Sequence, residues 1–234
     1  MTTAREVAHT LAAEVAQLPG GARIDSEHAL MRRFGVGRSV VRAAVAELEA
    51  RFLVRRVQGS GTYALRRIDL VLAHGAVPSF HGLIESAGAS LRTRLSATAI
   101  EPLPAPVADV LGAPEAAPAR RLLRTGEIDG LRAVLIDEWV TPGIAADVDA
   151  GLGVIESVCE ILAAYGSRPE CALTRASVEQ PSALAAEHLG LDAAAPVWSV
   201  ETHTVDAASG SPLLVSRAWL RLDSVRIVME LARA

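Results

Sequence analysis

FGVGRSVVRAAVAELE, residues 34–49, decides how this chain is read. Gly35 and Gly37 either open a phosphate-cradling loop or turn the chain between two helices. A dinucleotide loop needs G-x-G-x-x-G leaving a buried strand and entering a helix, so that successive backbone N–H groups face a pyrophosphate. Here the preceding stretch, SEHALMRRF, spaces Leu30, Met31 and Phe34 as a short helix with Ser26 placed to cap it, and no strand feeds the turn. After Gly37, Val41, Ala44, Val45 and Leu48 form one apolar stripe; Ser39 and Arg42 occupy the neighbouring face, with Arg38 at its edge. The parse is helix, glycine turn, helix.

The flanks extend it. Residues 3–17 place Val7, Leu11 and Val15 at four-residue intervals and stop at LPGGARI, a turn-forming cluster. Beyond the helix that follows Gly37, FLVRRVQGSGTYAL holds two apolar runs, Phe52–Val57 and Thr62–Leu65, around a glycine turn, which predicts a β-hairpin. Three helices and a hairpin make a winged helix-turn-helix, whose second turn-flanking helix enters the major groove of DNA. Arg38 and Arg42, one turn apart at the start of that helix, can reach guanine edges or phosphates, and Ser39 can donate to phosphate. Arg33 and His28 should lie near the DNA backbone, with Gly59, Ser60, Gly61 and Thr62 forming a wing tip slim enough for a minor groove. For each cation the bland alternative is a solvated face.

Charge agrees with this division. The chain has 234 residues, half of them hydrophobic, and its 23 basic residues are all arginine. Residues 1–67 hold eleven arginines against six acids, whereas the remainder holds twelve against twenty-one. A basic head on an acidic body suggests that the head alone meets a polyanion, although surface arginines also cluster by chance. No apolar run reaches eighteen residues and the N-terminus lacks a signal-peptide core, so a cytoplasmic protein without membrane contact is expected. Cys159 and Cys171 lack metal-ligand or C-x-x-C spacing and read as buried thiols, leaving no metal or cofactor expected.

The segment GGARIDSEHALMRRFGVGRSVVRAAVAELEARFLVRRVQGSGTYAL resembles the DNA-binding domain of the GntR family of bacterial regulators. Asp25, His28, Gly37 and Phe52 depart from the usual Pro, Arg, Ser or Thr, and small residue. The resemblance implies a homodimer on an inverted-repeat operator of double-stranded DNA, consistent with two-fold proteins reading two-fold sites.

The domains expected are a head at 1–67, a connection with a short helix (SFHGLIESAG) at 68–89, and an α+β body at 90–234 built on an antiparallel sheet. RTRLSATAIEP alternates; hairpins turn at Asp129-Gly130 and near Ser209-Gly210; helices are expected at Pro106–Leu111, Ile155–Tyr165 and Pro181–Leu189. No G-x-S-x-G, H-E-x-x-H or C-x-x-C arrangement supplies a catalytic mechanism. His188 on its helix, and Trp139, Trp198 and Trp219 within strands, read as packed residues.

From Ser79 to Leu231 the body resembles the UTRA effector domain of the HutC branch, a fold similar to chorismate lyase, and is most similar to the phosphonate-utilisation regulators through SFHGLIESAG, VADVLG, LIDEWV and SRAWLRLDSVRIVMEL. The resemblance implies a polar pocket for a small-molecule metabolite, with Ser90, Arg92, Arg124, Asp137, Glu138, Arg175, Trp219 and Arg221 as candidate lining residues. Gly126 and Glu201 stand where related sensors often carry arginines, which weakens a phosphate clamp and leaves neutral or cationic effectors open. A metabolite-responsive regulator, usually a repressor in this branch, is the preferred reading. A lyase-like enzyme with an attached DNA-binding domain, or an architectural DNA protein, are the alternatives.

Overall fold

A computed structural model describes residues 2–57, 59–72, 79–128, 130–144 and 146–229. The chain divides into two compact units at Arg67/Ile68.

The first unit contains α1 (Ala4–Val15), α2 (Glu27–Phe34), α3 (Arg38–Ala50), and the antiparallel hairpin of β1 (Val54–Val57) and β2 (Gly61–Ala64). Thr3 and Glu6 close a capping box on α1, each side chain binding the other's backbone N–H. The apolar stripes converge: Val7, Leu11, Leu30, Val41, Leu48 and Val54 share one core with at most 2% exposure. Phe52 adopts φ +54, the left-handed region, at a position where the family resemblance expects a small residue.

The second unit adds β3 (Ile68–Leu72), α4 (Phe80–Ser86), β4 (Leu91–Pro102), α5 (Ala105–Leu111), β5 (Pro118–Ile128), β6 (Leu131–Val140), α6 (Val148–Gly151), α7 (Val158–Ala164), β7 (Pro169–Glu179), α8 (Ala183–Leu189), β8 (Val197–Asp206), β9 (Pro212–Arg221) and β10 (Val225–Met229). Six strands form an antiparallel sheet in the order β4-β5-β6-β9-β8-β7, and β10 pairs with β3 in parallel. The fold is α+β, as the alternating strands and intervening helices suggested.

Strand alternation sorts the sheet into two faces. Ile136, Ala218 and Leu220 point to a face covered by β3, β10 and α4, continuing through Leu122 and Leu214 to α6 and α7. Trp139 and Val215 face α5, and Leu135 and Val197 face α8, on the other side.

Several local expectations are corrected. The segment 68–89, read as connection plus helix, contains β3; residues 73–78 within it lie outside the described residues. The helix expected from Ile155 begins at Val158, because Ser157 caps it by accepting from the Glu160 N–H, and it ends at Ala164 with Tyr165 as its C-cap. Ser182, not Pro181, starts α8. Asp129, at the expected hairpin tip, and Leu231, the end of the body's resemblance, also lie outside the described residues. No helix among the described residues is long and apolar enough to cross a membrane.

Candidate nucleic-acid interface and effector site

The turn between α2 and α3 is built from local chemistry. The Ser26 hydroxyl accepts from the Ala29 N–H at 3.2 Å and starts α2; Gly35 ends it at φ +63, where an L side chain is strained. Gly37 begins α3 without a side-chain cap, so the first N–H groups of a 13-residue helix keep their capacity to meet an anion.

Arg38 and Arg42 stand on the open side of α3, their side chains 71% and 61% exposed. Glu27 accepts from Arg38 Nε at 3.1 Å and lies 3.8 Å from Arg42 Nε, so one carboxylate steadies two guanidiniums without cancelling their charge. Ser39 and His28 are exposed. Arg33 departs from expectation: it forms a forked ion pair with Glu14 and lies 3.7 Å from Asp25, tying α2 to α1. That hydrogen bonding raises its pKa and reduces its availability to a phosphate.

At the wing, Gly59 takes φ +74 and Gly61 φ +138, and a Cβ on Gly61 would sit 2.7 Å from Arg23 Nε. Ser60 hydrogen-bonds Tyr63, and Thr62 lies in β2. Two arginines missed by the sequence reading join this surface. Arg23 bridges to Tyr63, and Arg55 pairs with Tyr63 across the hairpin, its Nε buried with no hydrogen-bond partner among the described residues. Arg56 reaches back to the Arg42 carbonyl at 3.1 Å, fastening the wing to α3.

In the second unit the eight expected pocket residues do not converge. Asp137 and Glu138 are neighbours on β6 and therefore face opposite sides. Asp137 belongs with Arg121; its strand row continues through Arg217, Glu201 and Arg175, where Glu201 pairs with both arginines. Burial raises the Glu201 carboxyl, but Arg217 and His203 outweigh it and leave it below the ordinary value. Trp219 donates to Glu179 at 3.0 Å; Arg221 is forked onto Asp223 and donates to the Leu189 carbonyl. Ser90 is exposed just before β4. These are fold-holding contacts on the face opposite Glu138, or at its margin.

Arg124, Glu138 and Arg92 do share a neighbourhood. Arg124 donates to both Glu138 oxygens at 2.6 and 3.0 Å, both side chains being 5% exposed, and to the Glu156 carbonyl at 2.8 Å and Thr93 Oγ1 at 3.3 Å. The Glu156 carboxylate receives the Thr93 N–H at 2.6 Å and contacts His81 at 3.1 Å and Arg92 at 3.3 Å. Burial raises its pKa, yet the Thr93 N–H, His81 and Arg92 together hold it below the usual range. Ser79 donates to Glu160 at 3.2 Å and lies 3.5 Å from Ser157, both serines being buried helix caps. Sequence reasoning missed Ser79, His81, Thr93, Glu156 and Ser157 as site residues; the S-x-x-E spacing of Ser157 and Glu160 was the available signal.

This cluster offers hydroxyls, carboxylates and a guanidinium already committed to protein acceptors. It carries no activated nucleophile: burial, then Glu138, pushes the Cys159 thiol up to about 12, and the serine hydroxyls serve as caps. Among the described residues no group of acidic, His or Cys side chains could hold a metal ion.

Residues 3–64 match the bacterial regulatory proteins of the gntR family, and residues 86–226 match the UTRA domain. The chain is 30% identical over 217 residues to an HTH-type transcriptional regulator of Mycobacterium tuberculosis, spanning 90% of this chain and 78% of that one. An uncharacterized HTH-type transcriptional regulator of Rhizobium meliloti is 28% identical over 209 residues, 88% of this chain and 85% of the relative. In fold, the chain superposes on PhnF from Mycobacterium smegmatis with a TM-score of 0.63 at 22% identity, covering 97% of this chain and 100% of that one. It also superposes on the possible transcriptional regulator YydK from Bacillus subtilis with a TM-score of 0.58 at 17% identity, covering 99% and 100%.

Proposed function

This chain belongs to the GntR family of bacterial transcription regulators and carries their UTRA domain, and from that premise we propose how it reads DNA and what it senses. Arg38, Ser39 and Arg42 enter the major groove from the uncapped start of α3, while Gly59, Ser60, Gly61 and Thr62 bring the wing to the backbone or minor groove. His28 stands at the margin, and Arg33 acts by positioning α2. The exposed arginine pair above a single carboxylate is the observation that carries this reading.

The protein acts as a homodimer on an inverted repeat, in the cytoplasm, as a repressor without turnover of its ligand. The effector meets the cluster of Ser79, His81, Thr93, Arg124, Glu138, Glu156 and Ser157. Arg124 gives its hydrogen bonds to Glu138, Glu156 and Thr93, and Gly126 supplies no second cation, so the site favours a neutral or amine-bearing, hydroxyl-rich metabolite over a phosphate ester. DNA and effector then oppose each other through one coupling free energy, and each weakens the other by the same factor. Footprinting the full chain on the DNA upstream of its own gene, with and without a metabolite panel, tests this. A symmetric footprint released by such a metabolite is expected; absence of any protected site overturns the reading.

A further inference from the structure

A second ligand cleft borders the buried cluster at Arg92, where the β4–β5–β6 end of the sheet meets α8. Arg92, Arg94, Thr125, Glu127, Arg132 and His188 line a hollow of about 430 Å3, within the roughly 300–1,000 Å3 of small-molecule sites. Its frame follows from register. Glu127 pairs across to Arg92 on β4 and to Arg132 on β6, and Arg94 pairs with Thr125 one row further along.

The pairing habits of this unit make the cleft unusual. Eight of its eleven described arginines form an ion pair with a carboxylate. Of the three that do not, two, Arg94 and Arg132, line this one cleft, and among the described residues neither side chain has an ion pair or hydrogen bond. The strand geometry supplies Glu127 beside Arg132 and α8 supplies Glu187, yet no ion pair closes between them. Guanidinium forks left open in a concave surface suit a planar or tetrahedral oxyanion, and open carboxylates suit a donor.

We propose that this cleft binds a small metabolite with an acidic head, carboxylate or phosphate, held by Arg94 and Arg132, and with hydroxyl or amino groups that meet Glu127 and Glu187. Except for Arg92, which also contacts Glu156, the site lies on strand positions other than those of the buried cluster, so the regulator takes a second chemical signal; this does not depend on what the buried cluster binds.

The test is calorimetric titration of the full chain with inorganic phosphate and separately with malonate, at ionic strength held constant with sodium chloride. Saturable binding is expected for at least one probe, and the tighter one identifies the head. Arg94→Gln and Arg132→Gln should each weaken it tenfold or more, while Arg94→Lys, which keeps charge but not the forked donors, weakens it less. An Arg38→Gln/Arg42→Gln protein, altered only in the head, should bind within twofold of the parent. Three results overturn the proposal: no saturable heat with either probe, an unchanged constant in the Arg94→Gln/Arg132→Gln protein, or loss of binding in Ser157→Ala, which would move the ion to the buried cluster.

Discussion

Replacing Glu138 by alanine tests the buried pair most severely. Arg124 and Glu138 are each 5% exposed and share two short hydrogen bonds, so the guanidinium has no water to replace its partner. With Glu138 gone, Arg124 retains only the Glu156 carbonyl and the Thr93 hydroxyl. Breaking a buried pair in this way costs about 3–5 kcal/mol, because the remaining charge is desolvated and uncompensated. That is a large share of the roughly 5–15 kcal/mol that holds a domain folded. For a unit of this size it corresponds to a fall in Tm of roughly 6–20 °C. The assay is specific, since Trp139, Trp198 and Trp219 all lie in the second unit and urea unfolding followed by tryptophan fluorescence reports on that unit. The control is Arg124→Met/Glu138→Met, which removes both charges and should recover most of the loss, since apolar replacement of a buried pair is often neutral or stabilising. A cost below about 1 kcal/mol for Glu138→Ala, the level of a solvent-screened pair, would refute the reasoning.

In the first unit, Leu48→Ala empties a fully buried position of the helical core. It should cost about 2–5 kcal/mol by far-UV circular dichroism in urea. The Glu156 carboxyl titrates below its ordinary 4.5, so its contribution to stability is present above that value and is lost as pH falls through the lower folded value. The difference in urea midpoint between the parent and Glu156→Gln should shrink as pH falls below that ordinary value; a difference that persists or grows below it contradicts the assignment.

The head was legible because its signals are local. Ser26 and Gly35 each act within one helical turn, the 41-44-45-48 stripe spans about two, and the hairpin follows from glycines between short apolar runs. The long strands were also legible, from the alternating residue types of RTRLSATAIEP and the glycine turns between strands, although β4 is exposed along most of its length and β6 is buried on both faces. The pairing of β10 with β3 was not: Arg226 and Asp69 meet from 157 positions apart, and five-residue strands bear no periodicity that names a partner. The candidate pocket residues are separated for a different reason. Residue type marks Asp137, Arg175 and Arg221 as chemically capable, but only strand parity and register decide that they serve ion pairs away from Glu138. Conversely, Ser79 and Ser157 look ordinary in sequence and come together through helix starts 78 positions apart.

The most direct measurement is the affinity of Arg38→Ala and Arg42→Ala for the footprinted operator, set beside an unrelated duplex, over a range of salt. Both side chains are exposed on α3, so neither substitution should move the thermal midpoint appreciably. If they read base edges, each costs about 1–3 kcal/mol on the operator and narrows the gap to the unrelated duplex. Unchanged operator affinity in the Arg38→Ala/Arg42→Ala protein would mean that α3 does not read DNA.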